Sequence, residues 1–134
     1  MFLLDTNIVS YWMRGDQLVI GRIRAQSPSD LALSAITLAE IWYGIEKSPV
    51  KKKERRARIE RIASLLPIYP FDELAARSYA VIRARLETGG TRISERDTQI
   101  AAIAMANRLT LVTHGMREFI RIEHLKVEDW AAFE

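Results

Sequence analysis

The sequence predicts an α/β domain: a short parallel sheet with helices packed on both faces. Three observations carry this. Short apolar runs at Phe2–Leu4, Leu31–Ser34 and residues 109–113 alternate with longer segments whose apolar positions recur at helical spacing. The runs read as strands buried on both sides, the habit of parallel sheets. Turn-formers stand at the joints: Ser27-Pro28-Ser29-Asp30, Pro49, Pro67, Pro70 and Gly89-Gly90. Strand–helix alternation of this kind gives a layered fold with right-handed crossovers.

Taken in order, Phe2–Leu4 is a strand that stops at Asp5, and Thr6 and Asn7 are placed to cap a helix running to about residue 13. A second short helix is predicted over residues 18–26. Leu31–Ser34 is the next strand, and Thr37 opens a helix to about Lys47. A charged helix covers residues 51–66, with Ile59, Ile62, Leu65 and Leu66 at helical spacing as its apolar face. Ile68 and Tyr69 are extended between two prolines. Asp72 caps a helix with Ala75, Tyr79, Ile82 and Leu86 on one face, and Gly89-Gly90 ends it. Ser94 caps an Ala-rich helix to about residue 107. Residues 109–113 form a strand, a short turn surrounds residues 117–119, and residues 125–127 form a last strand before Trp130. No repeat, linker or low-complexity stretch divides the 134 residues, so one domain spanning 1–134 is expected.

Composition narrows the function. The absence of cysteine excludes disulfides, thiolate catalysis and Cys-based zinc sites, and suits a reducing cytoplasm. No apolar stretch approaches the roughly 20 residues of a membrane span, and the N-terminus lacks the basic segment of a signal peptide; a soluble, cytoplasmic protein is expected. The net charge of +3 is permissive for nucleic acid. It is concentrated: Lys51, Lys52, Lys53, Arg55, Arg56, Arg58 and Arg61 stand against Glu54 and Glu60, as a solvated helix face or as a phosphate-contacting edge.

Three carboxylates are the candidates for chemistry. Asp5 follows a strand directly, Glu40 is expected in the first turn of the helix after the second strand, and Asp97 in the first turn of the Ala-rich helix. Ligands of open α/β sheets bind beyond the carboxyl ends of the strands, so all three point toward one edge. Carboxylates brought together repel and raise each other's pKa, a cost that a divalent cation removes; an all-oxygen set suits Mg²⁺ or Mn²⁺. Capping is the competing reading. Thr37-Leu-Ala-Glu40 and Ser94-Glu-Arg-Asp97 both have capping-box spacing, and Asp5 is placed to cap the helix after it.

The surrounding residues resemble a known family. Leu3-Leu4-Asp5-Thr6-Asn7-Ile8 is similar to the opening motif of VapC-type PIN domains. Ser34-Ala-Ile-Thr-Leu-Ala-Glu40 with Tyr43-Gly44 resembles their second motif, Asp97-Thr-Gln-Ile-Ala-Ala102 the third, and Leu111-Val-Thr113 with Arg117-Glu118-Phe119 the fourth; Lys126-Val-Glu-Asp-Trp130 resembles their ending. The resemblance implies a three-layer α/β/α PIN fold and a Mg²⁺-dependent endoribonuclease toxin, with Mn²⁺ as a substitute. It also implies an RNA substrate such as a tRNA, a VapB-like antitoxin partner and a homodimer. Asp5, Glu40 and Asp97 match the metal-binding catalytic acids, and Thr6, Asn7 and Thr113 match positions lining the substrate pocket, with His114 beside them. Gly115 departs from the pattern, which usually has Asp or Asn there. The alternatives are a catalytically inactive PIN-like module that binds RNA or protein, and an aspartyl-phosphate phosphatase. The latter needs a second Asp where this chain has Asn7. Trp12, Trp42 and Tyr43 are candidate partner anchors or core residues.

Overall fold

A computed structural model describes residues 1–132 of the chain. The elements run β1 (Phe2–Leu4), α1 (Thr6–Met13), α2 (Gln17–Arg24), a 3-10 turn (Pro28–Asp30), β2 (Leu31–Ser34), α3 (Ala35–Lys47), α4 (Lys52–Leu65), β3 (Ile68–Tyr69), α5 (Glu73–Thr88), α6 (Glu95–Ala106), β4 (Thr110–Val112), α7 (Met116–Phe119) and β5 (Val127–Glu128). The strands form one sheet in the order β3-β2-β1-β4-β5, and every pairing is parallel.

Successive strand residues point to opposite faces, and the core divides accordingly. Leu3, Ala32 and Leu111 face one side, where they pack against Ala75, Ile82 and Leu86 of α5 and the Ala-rich α6. Leu4, Leu31, Leu33 and Val112 face the other, against α1, α2, α3 and α4, with Trp130 closing that layer. The expected α/β/α layering is therefore present. No helix among the described residues is long and apolar enough to cross a membrane.

Several boundaries differ from expectation for local reasons. Asp5, not Thr6 or Asn7, is the N-cap of α1; its carboxylate accepts from the Thr6 N–H. Ser34 caps α3 by accepting from the Thr37 N–H, so the helix starts at Ala35 and Glu40 falls in its second turn. Asp16 caps α2, which starts at Gln17 and ends before the tight turn at Gln26. Leu65 is exposed, and the buried face of α4 is Ile59 and Ile62, with Leu66 just beyond it. The last strand begins at Val127, because the chain turns back at Ile122–Leu125 through left-handed His124.

Candidate active site

In this strand order, chain connections leave β1 and β4 in opposite directions. The crevice at their carboxyl ends is the position where open α/β sheets hold ligands. Asp5 sits at the end of β1 with its backbone N–H on the Val112 carbonyl of β4 (2.8 Å). Its side chain is only 5% exposed. Oδ1 accepts from the Thr6 N–H at 2.8 Å and Oδ2 from the Thr113 hydroxyl at 2.6 Å. Glu40 reaches the same cleft from α3, where its Oε1 accepts from the Thr6 hydroxyl at 2.7 Å. The Thr6 oxygen also lies 3.2 Å from the buried Thr37 hydroxyl. Asp97, half-buried in the first turn of α6, completes the cleft; its N–H donates to the capping Ser94 hydroxyl at 3.1 Å.

Capping thus accounts for part of this geometry and not for the rest. Asp5 caps α1, yet its second oxygen is held by Thr113 from another strand. Glu40 turns away from the start of its own helix, where Ser34 satisfies the Thr37 N–H at 3.0 Å, and meets Thr6 instead.

The electrostatics follow from burial and proximity. Asp5 is pushed up from 3.8 to about 6: burial dominates, the hydrogen bonds from Thr113 and Thr6 oppose it, and the charges of Asp97 and Glu40 add to it. Asp97 is also raised, first by burial, then by the charges of Glu40 and Glu118, with the Ser94 hydroxyl opposing. The carboxylates therefore feel one another across a single cleft. Among the described residues no three acidic or histidine side chains are drawn into a finished metal cage. Glu40 is held by Thr6 and lies 3.9 Å from Arg96.

Of the other expected residues, Thr6 and Asn7 line the cleft, and Thr113 lies buried beneath Asp5. His114 does not line it. Its N–H donates to Asn7 Oδ1 at 3.3 Å, while its ring meets Asp129 at 3.0 Å and packs edge-on to Tyr11. Gly115 has φ −92°, an ordinary conformation, and a Cβ there meets Thr113 Oγ1 at 3.5 Å and Glu118 Oε2 at 3.6 Å. A carboxylate thus reaches the Gly115 neighbourhood from one turn further along the chain. Sequence reading passed over Glu118 because it looked for the acid two positions after Thr113.

It also passed over Ser10, Tyr11 and Arg14, which line the cleft with Asn7. The signal was present: positions 7, 10 and 11 share one face of α1, and position 14, its C-cap, continues that face. Trp12 and Trp42 are partly buried against the core, whereas Tyr43 is 61% exposed.

Comparison with known proteins agrees with this architecture. The PIN domain family model matches residues 2–125. The chain is 37% identical to Ribonuclease VapC2 of Haemophilus influenzae, covering 96% of this chain and 97% of that protein. It is 35% identical to the tRNA(fMet)-specific endonuclease VapC of Salmonella typhimurium, with the same shares covered. Among solved structures, VapBC2 from Rickettsia felis bound to a promoter DNA fragment superposes with a TM-score of 0.89 at 33% identity, covering 96% of this chain and 98% of the matched one. FitAB bound to the IR36 DNA fragment gives 0.89 at 32%, covering 100% and 98%. On this architecture and these matches, the chain belongs to the PIN domain family.

Proposed function

We propose that this chain is a metal-dependent endoribonuclease toxin restrained by a small VapB-like antitoxin. The observation that carries the proposal is the buried carboxylate of Asp5 at the β1/β4 crevice, sharing one cleft with Glu40 and Asp97. An uncompensated buried charge is costly, and the raised pKa of Asp5 expresses that cost. The donor set, all carboxylate oxygen, fits a hard divalent cation. Asp5 is fixed by Thr6 and Thr113, and half-buried Glu40 and Asp97 line the same cleft.

Asp5, Glu40 and Asp97 would hold Mg²⁺ or Mn²⁺, which when bound acidifies water and offsets charge on a phosphodiester. The protein's own groups do the rest. Thr113 and Thr6 orient the Asp5 carboxylate, Thr6 also steadies Glu40, and Asn7 and Ser10 line the same cleft as polar groups available to a phosphodiester strand. No side-chain nucleophile is required.

Relatives named as ribonucleases and structures named as VapBC complexes support the substrate class and the protein partner. Exposed Tyr43, one turn from Glu40, is the aromatic anchor we assign to that partner. A homodimer and a cytoplasmic location belong to the same reading. The test is sequencing of RNA ends after brief expression of the intact chain and of Asp5→Asn. New ends confined to the intact chain are expected; identical ends, with RNA still bound, would leave only the inactive-module reading.

A further inference from the structure

The cations clustered on α4 have unequal freedom. Arg55 is committed to the backbone, donating to the carbonyls of Gly44, Ser48 and Val50. Lys52 and Arg56 both pair with Glu46. Arg58 caps the end of α1 through the Met13 carbonyl. Arg61 is exposed and has no carboxylate partner among the described residues; the same holds for Arg14, just past the end of α1. Arg14 lies over the Tyr11 ring, 5.0 Å from its centre.

Arg14 also lines three cavities, one of them a groove between α1, α3 and α4 with Ser10, Gly44 and Arg55. It lines the carboxylate cleft with Asp5, Tyr11 and Asp97. It lines equally a groove between α1 and α4 with Trp12, Arg58 and Arg61. The cleft is acidic, so a polyanion entering it needs cations at the approach. The side reached through Arg14 presents the guanidinium groups of Arg14 and Arg61, with Arg58 held on the Met13 carbonyl, beside apolar Ile62 and Leu65 and two partly buried aromatic rings, Tyr11 and Trp12. A positive groove with interleaved aromatic rings is the pattern that carries single-stranded nucleic acid.

We propose that Arg14 and Arg61 form a rail that grips RNA phosphates on one side of the scissile bond and feeds the strand from the α1/α4 groove into the carboxylate cleft. Arg14 is the positioning residue at the junction. The proposal rests on the ribonuclease reading above.

The test uses Arg14→Gln and Arg61→Gln, singly and together, with Arg85→Gln on α5 as a distant control. Binding of a labelled single-stranded oligoribonucleotide of about ten nucleotides is followed against salt in an Asp97→Asn background, and cleavage is followed without that change. Each rail variant is expected to weaken binding about threefold or more, and to reduce the slope of log K against log salt by about 0.7, the value for one lost single-strand phosphate contact. KM should rise while kcat holds, and Mn²⁺ should stabilise the variants against heat as it does the parent. Parental affinity and slope, or losses no larger than those of Arg85→Gln, would overturn the rail and leave the ribonuclease reading intact. So would unchanged RNA binding combined with lost binding of an acidic Glu/Leu helical peptide, which would make the groove a protein-docking surface. A parent that neither binds nor cuts RNA would bring down the ribonuclease reading itself, and the rail with it.

Discussion

The Thr113 hydroxyl donates to Asp5 Oδ2 at 2.6 Å across 108 positions of sequence, and the same hydroxyl oxygen accepts from the Gly115 N–H at 2.9 Å. One buried threonine thereby joins the catalytic-candidate carboxylate of β1 to the loop after β4. Thr113→Val keeps the shape and removes both bonds. Leaving buried polar groups unpaired costs about 1–3 kcal/mol, measurable by urea unfolding. The lost bond favoured ionised Asp5, so its pKa rises further above about 6. The acidic limb of the pH–activity profile should move to higher pH.

Asp5→Asn should separate activity from stability. The folded-state pKa of Asp5 lies above its ordinary 3.8, at about 6, so the native state binds this proton more tightly than the unfolded chain does. Its favourable contribution is complete below about pH 4 and is lost as the pH rises through about 6; above that, the buried charge costs on the order of 3 kcal/mol. In EDTA at pH 8 the Asn variant should therefore melt above the parent, with the gap closing toward pH 4, while cleavage is abolished. A variant that melts lower at pH 8 would show that the charge is compensated.

Glu118 and Gly115 make a paired prediction. Glu118→Gln removes a negative charge from beside Asp97; the lost potential lowers the Asp97 pKa and weakens cation attraction alike, so the Mg²⁺ concentration for half-maximal activity should rise. Gly115→Asp has room for its Cβ and needs no unusual φ, so no backbone strain accompanies it; the glycine is not there for a left-handed turn. Without metal its cost is repulsion from Glu118, and with metal it should lower the concentration required. Melting curves with and without Mn²⁺ read both effects.

Mn²⁺ should raise the melting temperature of the intact chain. A ligand at 100 times its Kd stabilises by about 2.7 kcal/mol. The shift should shrink in Glu40→Gln and vanish in Asp5→Asn. Equal shifts in all three proteins would place the ion elsewhere.

The sequence by itself determined the layers and singled out the three candidate acids. Strand runs such as Leu31–Ser34 and caps such as Asp72 and Ser94 act within a few residues, where hydrophobic spacing and single hydrogen bonds decide the outcome. The ordered motifs from Asp5 to Trp130 made the family legible. Local spacing was not able to decide whether these acids only cap helices or also share one cleft. Asp5 does cap α1, and only the pairing of β1 with β4 brings Thr113 to its other oxygen. Glu40 fitted a capping box until Ser34 took the Thr37 N–H and Thr6, 34 positions away, took Glu40. The nearness of Glu118 to Asp97, the place of Arg14 between the cleft and the α1/α4 groove, and the pairing of the α4 cations are likewise matters of which surfaces the fold brings together. Burial and long-range Coulomb interactions depend on distances in space, and a linear pattern carries those only where neighbours in sequence are also neighbours in the fold.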